Sequence, residues 1–153
     1  MHWWIRVLLI SAVMMTVSCS GDSVRQFGAA VNSGDAIAAG ELLAKAGDLE
    51  NQKVTVKGTT VSTCRHSGRR IGIQANTNYV VNVFARDEAF TFPKEESIGK
   101  TAVVTGTFSI VPLQRHSEDG EPSDDCGGCD EGIPDAATHN FIIYADGAEI
   151  HGL

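Results

Sequence analysis

The stretch KVTVKGTTVSTC, residues 53–64, constrains the fold more than any other feature. Val54 and Val56 alternate with polar residues, which is the period of a strand with one buried face. Gly58 then interrupts the alternation, where a bulge or sharp coil lets a long strand bend. The pattern recurs along the chain. Arg70 to Gln74 puts Ile71 and Ile73 on one face, Asn76 to Asn78 reads as a turn, and Tyr79 to Phe84 is rich in aromatic and β-branched residues. Lys100 to Ile110 alternates again, with Gly106 as a second bend point, and NFIIY (140–144) is the last buried run. Asp146 and Gly147 predict a turn that folds back a short terminal strand through Ile150. Ser33 to Gly47 carries Ala38, Leu42, Leu43 and Ala46 at helical spacing and predicts a short helix covering one end of the sheet. Five main strands, two internal glycines where strands must curl and one helix outside the sheet predict an all-β chain, a small five-stranded OB-like β-barrel.

The N-terminus belongs to a different problem. A single cation, Arg6, precedes an apolar run from Val7 to Val17, which has the length of a signal-peptide core and is too short to span a bilayer. The run ends in Thr16, Val17, Ser18 and Cys19. That ending resembles the bacterial lipobox, in which the cysteine becomes the lipidated first residue of the mature protein, although Thr16 stands where leucine is usual. The expected organisation is a signal peptide at 1–18, a tether at 19–32 and the barrel at 33–153, with an acidic loop at 116–138. Ser20 rather than an aspartate follows the cysteine. The expectation is therefore an exported, lipid-anchored protein of the cell envelope on the periplasmic side of the outer membrane, with the membrane itself as one partner.

Removing the signal peptide also removes Trp3, Trp4 and all the methionines, Met1, Met14 and Met15. A methionine-lined copper site and a tryptophan platform for stacking bases go with them. About 135 residues remain (153 less 18), enough for one domain with one core. Eight of the 19 acidic residues fall between Glu118 and Asp135, where no Lys or Arg occurs. Outside that run and the signal peptide the two signs balance, 11 acidic (19 less 8) against 11 basic (12 less Arg6). The acidity is local, and it disfavours nucleic acid as a partner, since neutralised phosphates supply most of such affinity.

Cysteine arithmetic offers chemistry. With Cys19 lipidated, Cys64, Cys126 and Cys129 remain in an oxidising compartment, and three thiols cannot all pair within one chain. Cys64 and His66 share a strand face if their segment is extended. With the CGGC pair they supply three sulfurs and one nitrogen, a set that suits a closed tetrahedral zinc site. The alternatives are a structural disulfide between two of the three cysteines, in a protein-interaction module, or a dithiol redox centre at CGGC. The redox reading is weakened by Asp124, Asp125, Asp130 and Glu131, whose charge raises the thiol pKa. Arg65, Arg69 and Arg70 form a further candidate, able to hold an anion in a bidentate manner or to pair with the protein's own acidic loop. No nucleophilic triad, phosphate-cradling glycine loop or paired catalytic carboxylates emerges, and a binding or structural role is expected rather than an enzymatic one.

Taken in order, these segments resemble an uncharacterised bacterial family of exported proteins and lipoproteins. The resemblance rests on Phe27, Gly28 and Ala29, on QKVTVKGTTVSTC, on FTFPKEESIGKTAVVTG from Phe90 to Gly106, on LQRHSEDGEP with His116, and on YADGAEI. It implies an OB-like barrel outside the cytoplasm and carries no established activity. It also singles out Cys64 and His116, and His116 is an alternative to His66 as the imidazole of the zinc set if its loop folds over the barrel mouth. The family's hairpin has a second cysteine and a tryptophan where this chain has Arg69 and Arg70, so any site built on that cysteine is altered here.

Overall fold

A computed structural model describes residues 23–113 and 138–153. Cys19, His116, Cys126 and Cys129 lie outside the described residues. Two strands, β1 (Val24–Gly28) and β2 (Ile37–Ala38), precede two short helices, α1 (Ala39–Ala44) and α2 (Ala46–Leu49). Then come β3 (Lys53–Thr63), β4 (Arg70–Gln74), β5 (Val80–Ala85), β6 (Thr101–Pro112) and β7 (His139–His151).

Five of these strands close on themselves. β3 pairs with β4, β4 with β5, β5 with β7, β7 with β6, and β6 with β3 again. Every pairing in the ring is antiparallel except β5 with β7, which is parallel and needs the crossing connection that β6 provides. This is the small OB-like barrel that the alternating segments predict. β1 extends the sheet along the second half of β7, from Val24 opposite His151 to Gly28 opposite Gly147. β2 adds two residues, parallel to β3.

The inward positions are those set by the period of two. Val54, Val56, Ile71, Ile73, Val81, Val83, Val104, Phe108, Ile143 and Ile150 form one buried cluster. A barrel of five strands has room inside only for its own side chains, so this interior is a packed core and not a lumen. At one end Leu42 of α1, fully buried, completes the core beside Ala39. Gly40 lies so close to the Ala75 carbonyl, at the β4–β5 turn, that a Cβ there would stand 2.8 Å from it. The opposite end is closed by the segment between β5 and β6. Its Phe92 is 3 % exposed and stacks edge-on with Phe90 at a centroid distance of 5.1 Å.

Several local expectations change. Within the expected tether and entry segment, Val24–Gly28 is a strand, held by β7. The expected helix over 33–47 is divided into a 3₁₀ turn at Ser33–Asp35, strand β2 and the two short helices. Ile37 pairs with Val56, which keeps the start of the segment extended, and Lys45, at φ −112° and ψ 19°, separates α1 from α2. The predicted turn at Asp146–Gly147 does not form, and β7 runs unbroken from His139 to His151. Tertiary contacts explain this correction. Ala29 N–H donates to the Asp146 carbonyl at 2.9 Å. The Asp146 carboxylate is held by Arg86 at 2.7 Å and Lys53 at 3.1 Å. Asp146 is instead the extra residue of a bulge against β6, where Thr105 lies opposite Gly147 and Gly106 opposite Ala145.

Candidate binding groove at one end of the barrel

The β3–β4 connection, Cys64 to Arg69, is a tight turn. Gly68 N–H donates back to the Cys64 carbonyl at 3.0 Å, and Cys64 N–H donates to the Arg70 carbonyl at 2.9 Å. Gly68 takes φ +66°, a value open to glycine at little cost. That turn separates the side chains that the sequence places in a row. Cys64 points inward and is 3 % exposed, with the Ser67 hydroxyl donating to its sulfur at 3.3 Å. His66 is exposed on the outside of the turn. The extended geometry that would have put Cys64 and His66 on one strand face is thus absent. Among the described residues no three His, Cys, Asp or Glu side chains gather as metal ligands.

The other members of the zinc set, His116, Cys126 and Cys129, belong to the segment outside the described residues. Its two ends can be placed. Leu113 and Thr138 meet through a 2.9 Å backbone hydrogen bond. They sit at the end of the barrel where β5 begins, since Asn82 lies opposite Ile142 and its amide donates to Asn140 at 2.9 Å. The Cys64 turn sits where β5 finishes, since Ala85 N–H donates to the Arg69 carbonyl at 2.9 Å. The length of β5 separates the two.

The three arginines also diverge. Arg70 is 5 % exposed and donates to the side-chain carbonyl of Asn82 at 2.7 Å. Arg69 lies at the surface and pairs with Glu88, which follows β5 in the chain. Asp87 and Glu88 both take positive φ, 49° and 57°, as the chain swings off β5 across the barrel end. Arg65 alone of the three faces a concavity.

That concavity is a groove of about 700 Å³ between the turn, the segment 91–96 and the start of β1. It is lined by the cations Arg25, Arg65 and Lys94, by Thr91, Phe92 and Pro93, and by the carboxylates Glu95 and Glu96. The walls are fixed by backbone contacts. Phe92 N–H donates to the Gly68 carbonyl at 2.7 Å, which locks the 91–94 strip onto the turn. Phe27 of β1 packs on Phe92 with ring centroids 6.3 Å apart, which brings β1 alongside. Arg25 and Glu96 approach to 3.9 Å, with both side chains more than half exposed, so the pair contributes little. Arg65 and Lys94 have no ion-pair partner among the described residues.

Sequence reasoning found Arg65 but not Arg25 or Lys94. Arg25 fell in the expected tether, and Lys94 in a segment whose only signal was family resemblance. The Pro93–Lys94 pair after two phenylalanines hinted at an anchored strip with a cation at its edge. No family model, curated protein or solved structure matches the chain.

Proposed function

We propose that the protein is an exported, lipid-anchored binding module of the cell envelope, with no catalytic role, whose partner meets the barrel at the Cys64–Arg69 end. One observation carries this reading. The barrel interior is filled by its own apolar side chains, so anything bound meets the outside. The groove beside Arg65 is a formed concavity there, within the 300–1,000 Å³ range of ligand sites. OB-type barrels put their ligand-binding loops at such positions, the connection between the first two barrel strands among them. The net charge of −7 again speaks against nucleic acid.

The test is photo-crosslinking in cells. A photoreactive amino acid at His66, exposed on the turn, is expected to give a discrete adduct. The same residue at Lys57, exposed on the flank of β3, is expected to give none. Absence of an adduct from position 66, or identical adducts from both positions, overturns the reading.

A further inference from the structure

We infer that the groove is a site for an organic carboxylate: a ligand with one carboxylate end, held by Arg65 and Lys94, and an uncharged body lying against the half-buried Pro93. Charge comes first. In a chain of net charge −7, three cations line one concavity. Among the described residues, only Arg25 of the three has a carboxylate within ion-pair distance, at 3.9 Å. Arg65 is on the β3–β4 turn and Lys94 on the strip that Gly68 holds down. A Cβ built at Gly68 would lie 3.9 Å from Lys94 Cε, so the lysine stem runs beside the turn that carries Arg65. A guanidinium offers two parallel N–H donors that match the two oxygens of a carboxylate, and an ammonium adds a point charge.

The carboxylates of the groove narrow the class further. Glu95 and Glu96 flank the cations, so a dianionic phosphate or sulfate meets repulsion there that a single negative charge meets only in part. Glu95 has no ion-pair partner among the described residues, and it suits an N–H donor on the ligand body. Between the cations and the turn the strip presents the uncharged Thr91 and Pro93, which favours an uncharged body, and the buried Phe92 anchors the strip through Phe90 and Phe27. A peptide C-terminus and a small free carboxylic acid share this chemistry. Because the groove is open to solvent, the attraction weakens as salt rises.

This inference rests on the reading of the protein as a binding module. It fails separately, because a crosslinked partner can exist that ignores carboxylates. The test uses the full lipidated protein in detergent micelles, with ligand-observed NMR titration at low ionic strength. The probes are N-acetyl-trialanine with a free C-terminal carboxylate, the same peptide as its C-terminal amide, and pentanoate. The acid peptide is expected to bind saturably, and the amide about tenfold more weakly, the size of one lost charge contact. The double variant Arg65→Ala, Lys94→Ala is expected to lose about the same factor for the acid and little for the amide. Arg65→Lys with Lys94 intact keeps most of the affinity. The circular dichroism spectrum of each variant checks that the barrel is unchanged. Peptide binding tighter than pentanoate assigns the site to chain termini, and the reverse order assigns it to small acids. Either supports the carboxylate site. Equal binding of acid and amide, unchanged binding in the folded double variant, or no saturable binding of either acid overturns it.

Discussion

Gly68 is the residue on which the groove depends. Its φ of +66° lets the turn close, and its carbonyl receives Phe92 N–H, so one residue joins the two walls. A methyl group added there would lie 3.1 Å from the Phe92 carbonyl oxygen, tighter than an ordinary contact. Gly99 supplies the control, with φ +77° and no atom near an added Cβ. Gly99→Ala is expected to cost about 1 kcal/mol, the penalty of a side chain in left-handed backbone. Gly68→Ala is expected to cost roughly 2 kcal/mol or more, since the 91–94 strip must also move. Denaturant midpoints measure both. A cost at Gly68 equal to or below that at Gly99 shows that the strip is not held by the turn. The same residue explains why the arginines were only partly legible. Their number and spacing are plain in the sequence, but the turn decides that Arg70 points at Asn82, Arg69 at Glu88 and Arg65 into the groove. No periodicity encodes those three directions.

At the scale of elements, period-two segments were legible because each strand has one face in the core and the other outside. Ile71 with Ile73, and Val54 with Val56, were placed correctly for that reason. Strand bending was legible only in part. Gly106 lies at a register shift between β6 and β7, whereas the shift in β3 falls between Thr60 and Ser62, beyond Gly58. The two glycines serve different contacts. A Cβ at Gly106 would stand 2.2 Å from the Tyr144 carbonyl oxygen and 2.7 Å from Ala145 Cα, both backbone atoms of β7. A Cβ at Gly58 would meet the Ile73 Cγ2 methyl at 2.5 Å, a side-chain atom rather than backbone, but one on a stiff, fully buried β-branched residue. Gly106→Ala is therefore expected to destabilise by about 3 kcal/mol, at the upper end of overpacking costs, and Gly58→Ala by less, about 2 kcal/mol. Thermal melts followed by circular dichroism rank them, and a larger loss at Gly58 would mean that β6 and β7 are not held at that approach. The unbroken β7 was illegible because Asp-Gly is a turn signal by itself. What straightens it, the pairing of Asp146 with Lys53 and Arg86, comes from residues sixty or more positions away in sequence.

For the molecule as a whole, the two ends of the described chain meet. Gly152 N–H donates to the Ser23 carbonyl at 2.7 Å, the Ser23 hydroxyl donates to the carbonyl of Leu153, and β1 lies antiparallel to the last residues of β7. Chain geometry then bounds the distance to the proposed anchor. Cys19 and Ser23 are four residues apart, which spans at most about 14 Å when fully extended. Arg25, which lines the groove, follows two residues later, so the proposed lipid on Cys19 would hold the groove close to the membrane surface. Among the described residues the first backbone pairing is that of Ser23 with Gly152, and Cys19→Ala is expected to leave the melting temperature unchanged. Its effect belongs to partitioning. Each buried methylene of an acyl chain contributes about 0.8 kcal/mol, so losing a multi-chain anchor is expected to move nearly all the protein from the detergent-rich to the aqueous phase. Intact mass spectrometry of the unaltered protein should show the added lipid on a chain beginning at Cys19. A Cys19→Ala protein that still partitions with detergent, or an unaltered one with no lipid mass, removes the anchor and with it the placement of the groove at the membrane.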